Sequence, residues 1–300
     1  MINISTNCST ICPFCARTEM DNERKNNYMS LELFEQTLEE CLKSNISQIN
    51  LYQTGEAMLH PEFDAFIKLA KKMNFGIYLS TNGSHVEKHI ETLLLIDDIR
   101  FSVDGWDKES FELFRYPLKI EKIKKNLELL FKAREESQST LKIGINTIYS
   151  KQEKFDGFLN LFGDYIDFLE VSVLYPTTYF DKNTQSFQIK YEEKLKEHYY
   201  DFGYVSQDKK WCHFPFSTAV ISYDGSMLLC CQDFSSDFKL NNITDGLTTI
   251  FNSEKITQIR KEFVNETFET CNNCYRFLDI SHSERLRIRE DIHAAINANC

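Results

Sequence analysis

The sequence predicts an α/β chain: an open, partial (β/α)6 TIM barrel followed by a small domain made of a hairpin and short helices. Three observations lead there. Over residues 1 to about 175, short β-branched or aromatic runs alternate with longer amphipathic segments, the pattern of βα units around a parallel sheet. Six such units can be counted, where a closed barrel needs eight. Beyond about residue 208 the pattern changes to two short apolar runs joined by Asp224-Gly225, a hairpin signal, and then to short helical stretches.

The strands are expected at residues 2–5, 48–52, 76–80, 98–103, 141–147 and 168–174, each of ordinary buried-strand length. Ser30 is placed to cap a helix whose apolar residues Leu31, Phe34, Leu38, Cys41 and Leu42 recur at helical spacing, so Cys41 reads as core. Further helices are expected at 61–72, 85–95, 120–134 and 155–162. In the third of these Lys119, Lys122, Lys124 and Lys125 alternate with Ile120 and Ile123, which reads as a solvated helix face. The hairpin covers 218–223 and 227–231, and helices follow at 247–252, 255–264 and about 284–298. The domain division is therefore a barrel over 1–205, an auxiliary domain over 206–280 and a helical tail over 281–300.

With 300 residues, 42% of them hydrophobic and 26% charged, the chain can bury a full core. A net charge of −11 argues against nucleic acid as partner, since such binding rests on clustered Lys and Arg. A small molecule or a peptide fits better. No apolar run approaches the roughly 18–20 residues that cross a bilayer, and the N-terminus lacks a basic stretch followed by an apolar one, so no membrane role and a cytoplasmic location are expected.

In a chain of that kind ten cysteines point to metal or catalysis, not disulfides. Eight fall in three groups: Cys8, Cys12 and Cys15; Cys212 with Cys230 and Cys231; and Cys271 with Cys274. The first group lies in the loop after the first strand, at the C-terminal end of the sheet. A cubane iron–sulfur cluster takes four thiolates, so three leave one iron with an open coordination site, where chemistry takes place. Zinc at this loop would need a fourth ligand, for which the neighbouring residues are poor candidates.

Cys8-Ser-Thr-Ile-Cys12-Pro-Phe14-Cys15 resembles the signature of the radical S-adenosylmethionine (SAM) superfamily, with Phe14 in its aromatic place. Thr54-Gly55-Glu56-Ala57 resembles the family segment that meets the SAM amino group, although Thr54 and Ala57 depart from its commonest form. Ser80-Thr81-Asn82-Gly83 after the third strand, and Ser102-Val103-Asp104-Gly105 with Arg115 after the fourth, resemble family segments that line the SAM site, and Asn146 on the fifth strand is placed to meet the ribose or sulfonium side. The resemblance implies that a hydroxyl and the Arg115 guanidinium hold the methionine carboxylate. Taken as a turn alone, Asn82-Gly83 needs no such role, and His60 before Pro61 reads as a helix-start residue.

Cys212, Cys230, Cys271 and Cys274 form a four-thiolate set suited to a closed site, with structural zinc as the competing occupant. Cys231 is the alternative to Cys230, and Cys300 reads as a terminal thiol. The order from Trp211-Cys212 through Asp224-Gly225, Cys230-Cys231, Asn252 and Arg260 resembles the SPASM or twitch extension of radical SAM enzymes, as in dehydrogenases of the 2-deoxy-scyllo-inosamine type. One auxiliary [4Fe-4S] cluster is the count implied. The resemblance further implies reductive cleavage of SAM to a 5′-deoxyadenosyl radical, hydrogen abstraction and a two-electron oxidation of a carbohydrate-like small molecule. The auxiliary cluster would accept the electron, flavodoxin or ferredoxin would be the reductant, and Asp233 is the candidate base. Two other readings stand beside this one: a maturase acting on a peptide or protein, against which only seven residues precede Cys8, and a non-catalytic metal-binding descendant.

Overall fold

A computed structural model of the chain describes residues 1–268, except 13–14, 16, 18–19, 21, 106, 150–154, 174–213, 232, 235 and 237, together with Cys271. Five parallel strands form one sheet in sequential order: β1 Gln48–Leu51, β2 Gly76–Thr81, β3 Asp98–Ser102, β4 Lys142–Tyr149 and β5 Phe168–Val173. Sequential order with right-handed crossovers puts every connecting helix on the same side of the sheet. That is the winding of a partial barrel, as the alternating pattern predicts.

The two sides of the sheet are chemically distinct because side chains alternate along each strand. Toward the helices point Ile49, Leu51, Ile77, Leu79, Ile99, Phe101, Ile143 and Ile145, none more than 2% exposed. Against them lie the apolar stripes of α1 Leu31–Lys43, with Phe34, Leu38 and Cys41 buried, and α2 Phe63–Lys72, with Phe63, Phe66, Ile67 and Ala70 buried. Ser30 caps α1 by accepting from the Leu33 N–H. The other side of the sheet is half-open and polar, and it faces the barrel interior.

The expected helix over 85–95 forms as a 3-10 turn Val86–Lys88 and a short α3 Ile90–Leu93. His89 pins this junction by pairing its Nδ1 with Asp64 Oδ1 at 2.8 Å. α4 Lys108–Phe114, which has no counterpart in the sequence reading, starts at a capping box between Asp107 and Ser110. α5 Ile120–Ser137 buries Ile120, Ile123, Leu127 and Leu130 and presents its lysines outward, with Lys119 and Lys122 reaching Glu112 and Glu87. α6 Phe155–Phe162 precedes β5.

The expected first strand, residues 2–5, forms isolated bridges in place of a regular strand. It is shared between two neighbours: the Ile2 N–H donates to Asn50 O on β1, while Asn3 N–H donates to Ile221 O and Ile221 N–H to Met1 O. Ile221 belongs to β6 Val220–Ile221, which pairs antiparallel with β7 Ser226–Leu228, and β7 pairs with β8 Lys239–Asn242. The expected hairpin is thus present, shorter than predicted and extended by a third strand, and the N-terminal segment joins it to the barrel sheet. Ile221, Met227, Ile243, Leu247 and Ile250 share one hydrophobic core with the barrel. The expected tail helix at 284–298 lies outside the described residues.

Phe66 sits at the centre of this packing, 4.7 Å from Phe34 and 4.4 Å from His60 by ring centroids. Phe66→Ala is expected to cost about 3–5 kcal/mol, read as a lowered denaturation midpoint with an unchanged denaturant slope.

Candidate functional site

The site is built where the N-terminal segment leaves the sheet. Asn3 donates from Nδ2 to Thr54 Oγ1 at 2.8 Å, and the Glu56 N–H donates to Asn7 O at 2.7 Å. Between them Gly55 lies so close to the chain that a Cβ there would fall 2.0 Å from Ser5 O. Only glycine allows this approach. The cysteine loop is launched directly from this clasp.

Glu56 is buried, and its carboxylate accepts from Thr81 Oγ1 at 2.9 Å and from the backbone N–H of Asn82 at 2.7 Å and of Met58 at 3.3 Å. Burial raises its pKa while these donors oppose the rise. The carboxylate therefore ties the end of β1 to the end of β2 and fixes the turn Asn82-Gly83. Asn82 accepts from Ser84 N–H through Oδ1 at 2.9 Å, and its Nδ2 reaches Ser9 Oγ at 3.4 Å and Cys8 Sγ at 3.9 Å. The residue is thus both a turn former and a neighbour of the first cysteine.

Cys12 is buried, and Cys8 and Cys15 are half-buried. The Cys15 N–H donates to Cys12 O at 3.0 Å, and Cys8 Sγ lies 3.0 Å from Thr10 Oγ1. Arg115, at the end of α4, is ion-paired with the fully buried Asp104, whose Oδ1 accepts from Ile148 N–H, and its Nη1 lies 3.7 Å from Cys12 Sγ. Burial pushes the Cys12 and Cys15 thiols up, Cys15 to about 12. Ligation by a cation would replace those protons.

Among the described residues no three His, Cys, Asp or Glu side chains are gathered closely enough to hold a metal ion. A four-iron cluster binds its thiolates on separate iron atoms and spaces them more widely than a single ion does. Three cysteines on one loop, with Arg115 and Asn82 donating toward the sulfurs, fit such a cluster with one iron left for another ligand.

Ser80, Ser102 and Asn146 all lie on the polar inner side of the sheet, half-buried. The register aligns Ser102 with Asn146 and Asn146 with Glu170, and one row below it aligns Ser80, Arg100, Gly144 and Phe168. Sequence reasoning did not single out Arg100 or Glu170. The alternation of polar residues along three adjacent strands was the signal that could have done so.

Of the other expected site residues, Phe14, Cys212 and Cys274 lie outside the described residues. Cys230 and Cys271 are half-buried. Cys231 is buried in a small cluster with Val220 and Leu228, packed by Met1 and Phe214, which leaves Cys230 as the better-exposed thiol of the two. Asp233 is fully buried, and its Oδ2 accepts from the Phe238 N–H at 3.2 Å. His60 is buried with Nδ1 accepting from Glu62 N–H and Nε2 against Met29 O at 2.8 Å, a helix-start arrangement.

The Radical SAM superfamily matches residues 2–162. The SPASM iron-sulfur cluster-binding domain matches residues 212–275. The first implies a [4Fe-4S] cluster and SAM, the second auxiliary iron–sulfur clusters. The chain is 25% identical over 91% of its length to a tungsten-containing aldehyde ferredoxin oxidoreductase cofactor-modifying protein of Pyrococcus furiosus, of which the alignment covers 86%. Among solved structures, BtrN in complex with AdoMet and 2-DOIA superposes with a TM-score of 0.56 at 16% identity, covering 93% of this chain and 92% of that one. Tagged anSMEcpe with bound AdoMet gives 0.64 at 19% identity, covering 99% and 94%. Streptococcus suis SuiB bound to precursor peptide SuiA gives 0.63 at 15%, covering 91% and 70%. These likenesses show the fold. No helix among the described residues is long and apolar enough to cross a membrane.

Two outcomes follow from the local geometry. Gly55→Ala is expected to destabilise the fold by about 1–3 kcal/mol and to lower the iron retained after reconstitution, because the clasp under the cysteine loop must open. Burial lowers the His60 pKa below its ordinary value. The unfolded chain then takes up a proton at His60 at higher pH than the folded one, so stability falls as pH drops through about 6.5. His60→Gln should flatten that decline in urea titrations between pH 7 and 5.

Proposed function

The chain belongs to the radical SAM superfamily, and from that premise we propose that it is an oxidative enzyme acting on a carbohydrate-like small molecule. The SAM-binding cluster would be held by Cys8, Cys12 and Cys15, and an auxiliary cluster by Cys212, Cys230, Cys271 and Cys274. When bound, the first cluster and SAM supply a 5′-deoxyadenosyl radical that abstracts hydrogen from substrate. The observation that carries the reading is the position of the three-cysteine loop, clasped above a barrel interior lined by Ser80, Ser102 and Asn146.

This chain's residues would divide the remaining work. Thr54, Gly55 and Glu56 present backbone groups beside the cysteine loop for the SAM amino end, and Glu56 keeps that turn fixed through Thr81 and Asn82. Ser80, Asn82, Ser102 and Asn146 offer hydroxyl and amide groups to the nucleoside and carboxylate. Arg115 contributes positive charge next to Cys12, with Asp104 holding its plane. Phe14 is proposed to pack against the cluster. Asp233 is the candidate base, and its buried carboxylate, accepting from the Phe238 N–H through Oδ2, is held in place by that bond. A flavodoxin or ferredoxin is the class of reductant such a site would draw on.

A second reading has its own support. SuiB is seen with a precursor peptide and anSMEcpe with the Cp18Cys peptide. A peptide-modifying maturase therefore stands as the alternative within the same cofactor chemistry.

Anaerobic reconstitution tests the proposal directly. About eight iron atoms per chain, as two four-iron clusters, together with 5′-deoxyadenosine formed from SAM under dithionite, is the expected result. Cys12→Ala should remove about four of those iron atoms and abolish 5′-deoxyadenosine. About four iron atoms in the unaltered protein would remove the electron-accepting role and turn the reading toward a redox-neutral reaction.

A further inference from the structure

Of the three loop cysteines Cys12 is the buried one, and it lies against a buried ion pair. Arg115 gives its two Nη groups to two different partners. Nη1 lies 3.7 Å from Cys12 Sγ, within reach of a hydrogen bond to sulfur, and Nη2 pairs with Asp104, which is fully buried. Neighbouring backbone keeps this arrangement in place. Asp104 Oδ1 accepts from the Ile148 N–H of β4 at 2.8 Å, the Arg115 N–H closes α4 by donating to Phe111 O at 2.8 Å, and the Ile11 N–H of the cysteine loop donates to Tyr116 O at 2.7 Å. Gly105, at a φ of +94°, brings the turn after Asp104 so close to α4 that a Cβ would stand 2.5 Å from Phe111 N.

A guanidinium so engaged is a poor clamp for the carboxylate of a ligand, because both of the Nη groups that would meet its oxygens are already committed. The geometry suits another task. Reduction adds one negative charge to an iron–sulfur cluster, and the potential at which this happens follows the net charge nearby and the hydrogen bonds to the sulfurs. A cation held 3.7 Å from a ligand sulfur in a buried setting stabilises the reduced form more than the same cation would in water. Orientation gives the sign. The positive end of the ion pair is presented to Cys12, and the carboxylate that offsets it is attached at the other nitrogen.

We propose that the Asp104–Arg115 pair sets the reduction potential of the cluster held by Cys8, Cys12 and Cys15, with Arg115 raising it through Cys12 and Asp104 limiting the rise. This rests on the reading that those cysteines carry the SAM-binding cluster. Arg115 then governs how readily an electron enters from the reductant, and the methionine carboxylate is met by other groups.

The test is an EPR-monitored redox titration of the anaerobically reconstituted protein, following the reduced-cluster signal that changes when SAM is added. Iron is counted and SAM affinity measured by calorimetry in every variant. At a fixed solution potential, Arg115→Gln should lower the ratio of reduced to oxidised cluster at least tenfold, about 59 mV for a one-electron couple. Arg115→Lys, which keeps the charge, should stay within about threefold of the unaltered protein. Asp104→Asn keeps an acceptor for the Ile148 N–H but removes the opposing charge, and should shift the ratio about tenfold the other way. SAM affinity should change by less than about threefold throughout.

Opposite shifts from adjoining substitutions are the mark of charge, since loss of a merely structural contact would move both the same way. An unmoved potential in Arg115→Gln, or shifts of one sign in Arg115→Gln and Asp104→Asn, overturns the proposal. So does a tenfold loss of SAM affinity in Arg115→Gln at unchanged potential, which would give the guanidinium to the methionine carboxylate. Should Arg115→Gln take up no iron, Asp104→Asn decides alone: a raised potential supports the proposal, and an unmoved or lowered one overturns it. An unaltered protein without a SAM-responsive cluster overturns the cluster reading and this proposal with it, whereas a cluster whose potential ignores these substitutions overturns this proposal only.

Discussion

The structure turns on the backbone contact between Gly55 and Ser5. Through it the N-terminal segment, the turn after β1 and the cysteine loop become one unit, locked by Asn3 on Thr54 and by Asn7 on Glu56. The same N-terminal segment is hydrogen-bonded to β1 on one side and β6 on the other. Five residues thus connect the barrel sheet, the small sheet whose strands β7 and β8 flank Cys230, and the loop that carries Cys8, Cys12 and Cys15. A side chain at position 55 would disturb all three, which is why a conformationally permissive residue is placed where the chain otherwise has little freedom.

The second organising feature is the contrast between the two sides of one sheet. Sequential winding puts all the helices on one side, and the apolar residues of β1–β4 follow them there without exception through Ile145. The opposite side is free to be polar because no helix needs to pack on it. A sheet of this kind separates its obligations: the outward rows supply stability, and the inward rows of Asn50, Tyr78, Ser80, Arg100, Ser102, Asn146 and Glu170 are available for recognition. Arg100 lies over the Phe168 ring across β4 where Gly144 has no side chain, a Cβ there falling 2.3 Å from that ring.

The barrel strands were legible in the sequence because buried parallel strands are dense apolar runs bounded by polar turns, and β1 to β5 fall within two residues of expectation. What escaped was structure whose signal is not apolar. β8, Lys-Leu-Asn-Asn, has no alternating pattern and is defined by its pairing with β7. α4 depends on the capping box at Asp107 more than on its short apolar stripe. Residues 2–5 read as a strand but form isolated bridges, hydrogen-bonded to β1 on one side and to β6 on the other, a tertiary outcome that local pattern does not encode. At the site, cysteine spacing singled out Cys8, Cys12 and Cys15 as the candidate ligands, while the partnership of Arg115 with Asp104 and of Arg100 with Glu170 needed the tertiary structure.

The chain's arginines explain how an acidic protein holds its layers together. Arg100 bridges β3 to β5 between two aromatic rings. Arg134 on α5 lies over Phe131 and reaches Asp167, whose carboxylate also accepts from Ile143 N–H, tying helix, loop and β4. Arg115 links Asp104 to the cysteine loop, and Arg260 donates to Pro215 O and Phe251 O while covering the Phe251 ring. Arg100, Arg134 and Arg260 each use a planar cation that stacks and donates at once, which a lysine ammonium cannot do. The lysines by contrast are mostly outward, on helix faces such as that of α5. Charge in this protein is therefore sorted by chemistry: these guanidinium groups are committed to joints, and the ammonium groups of helix faces such as that of α5 to solvent.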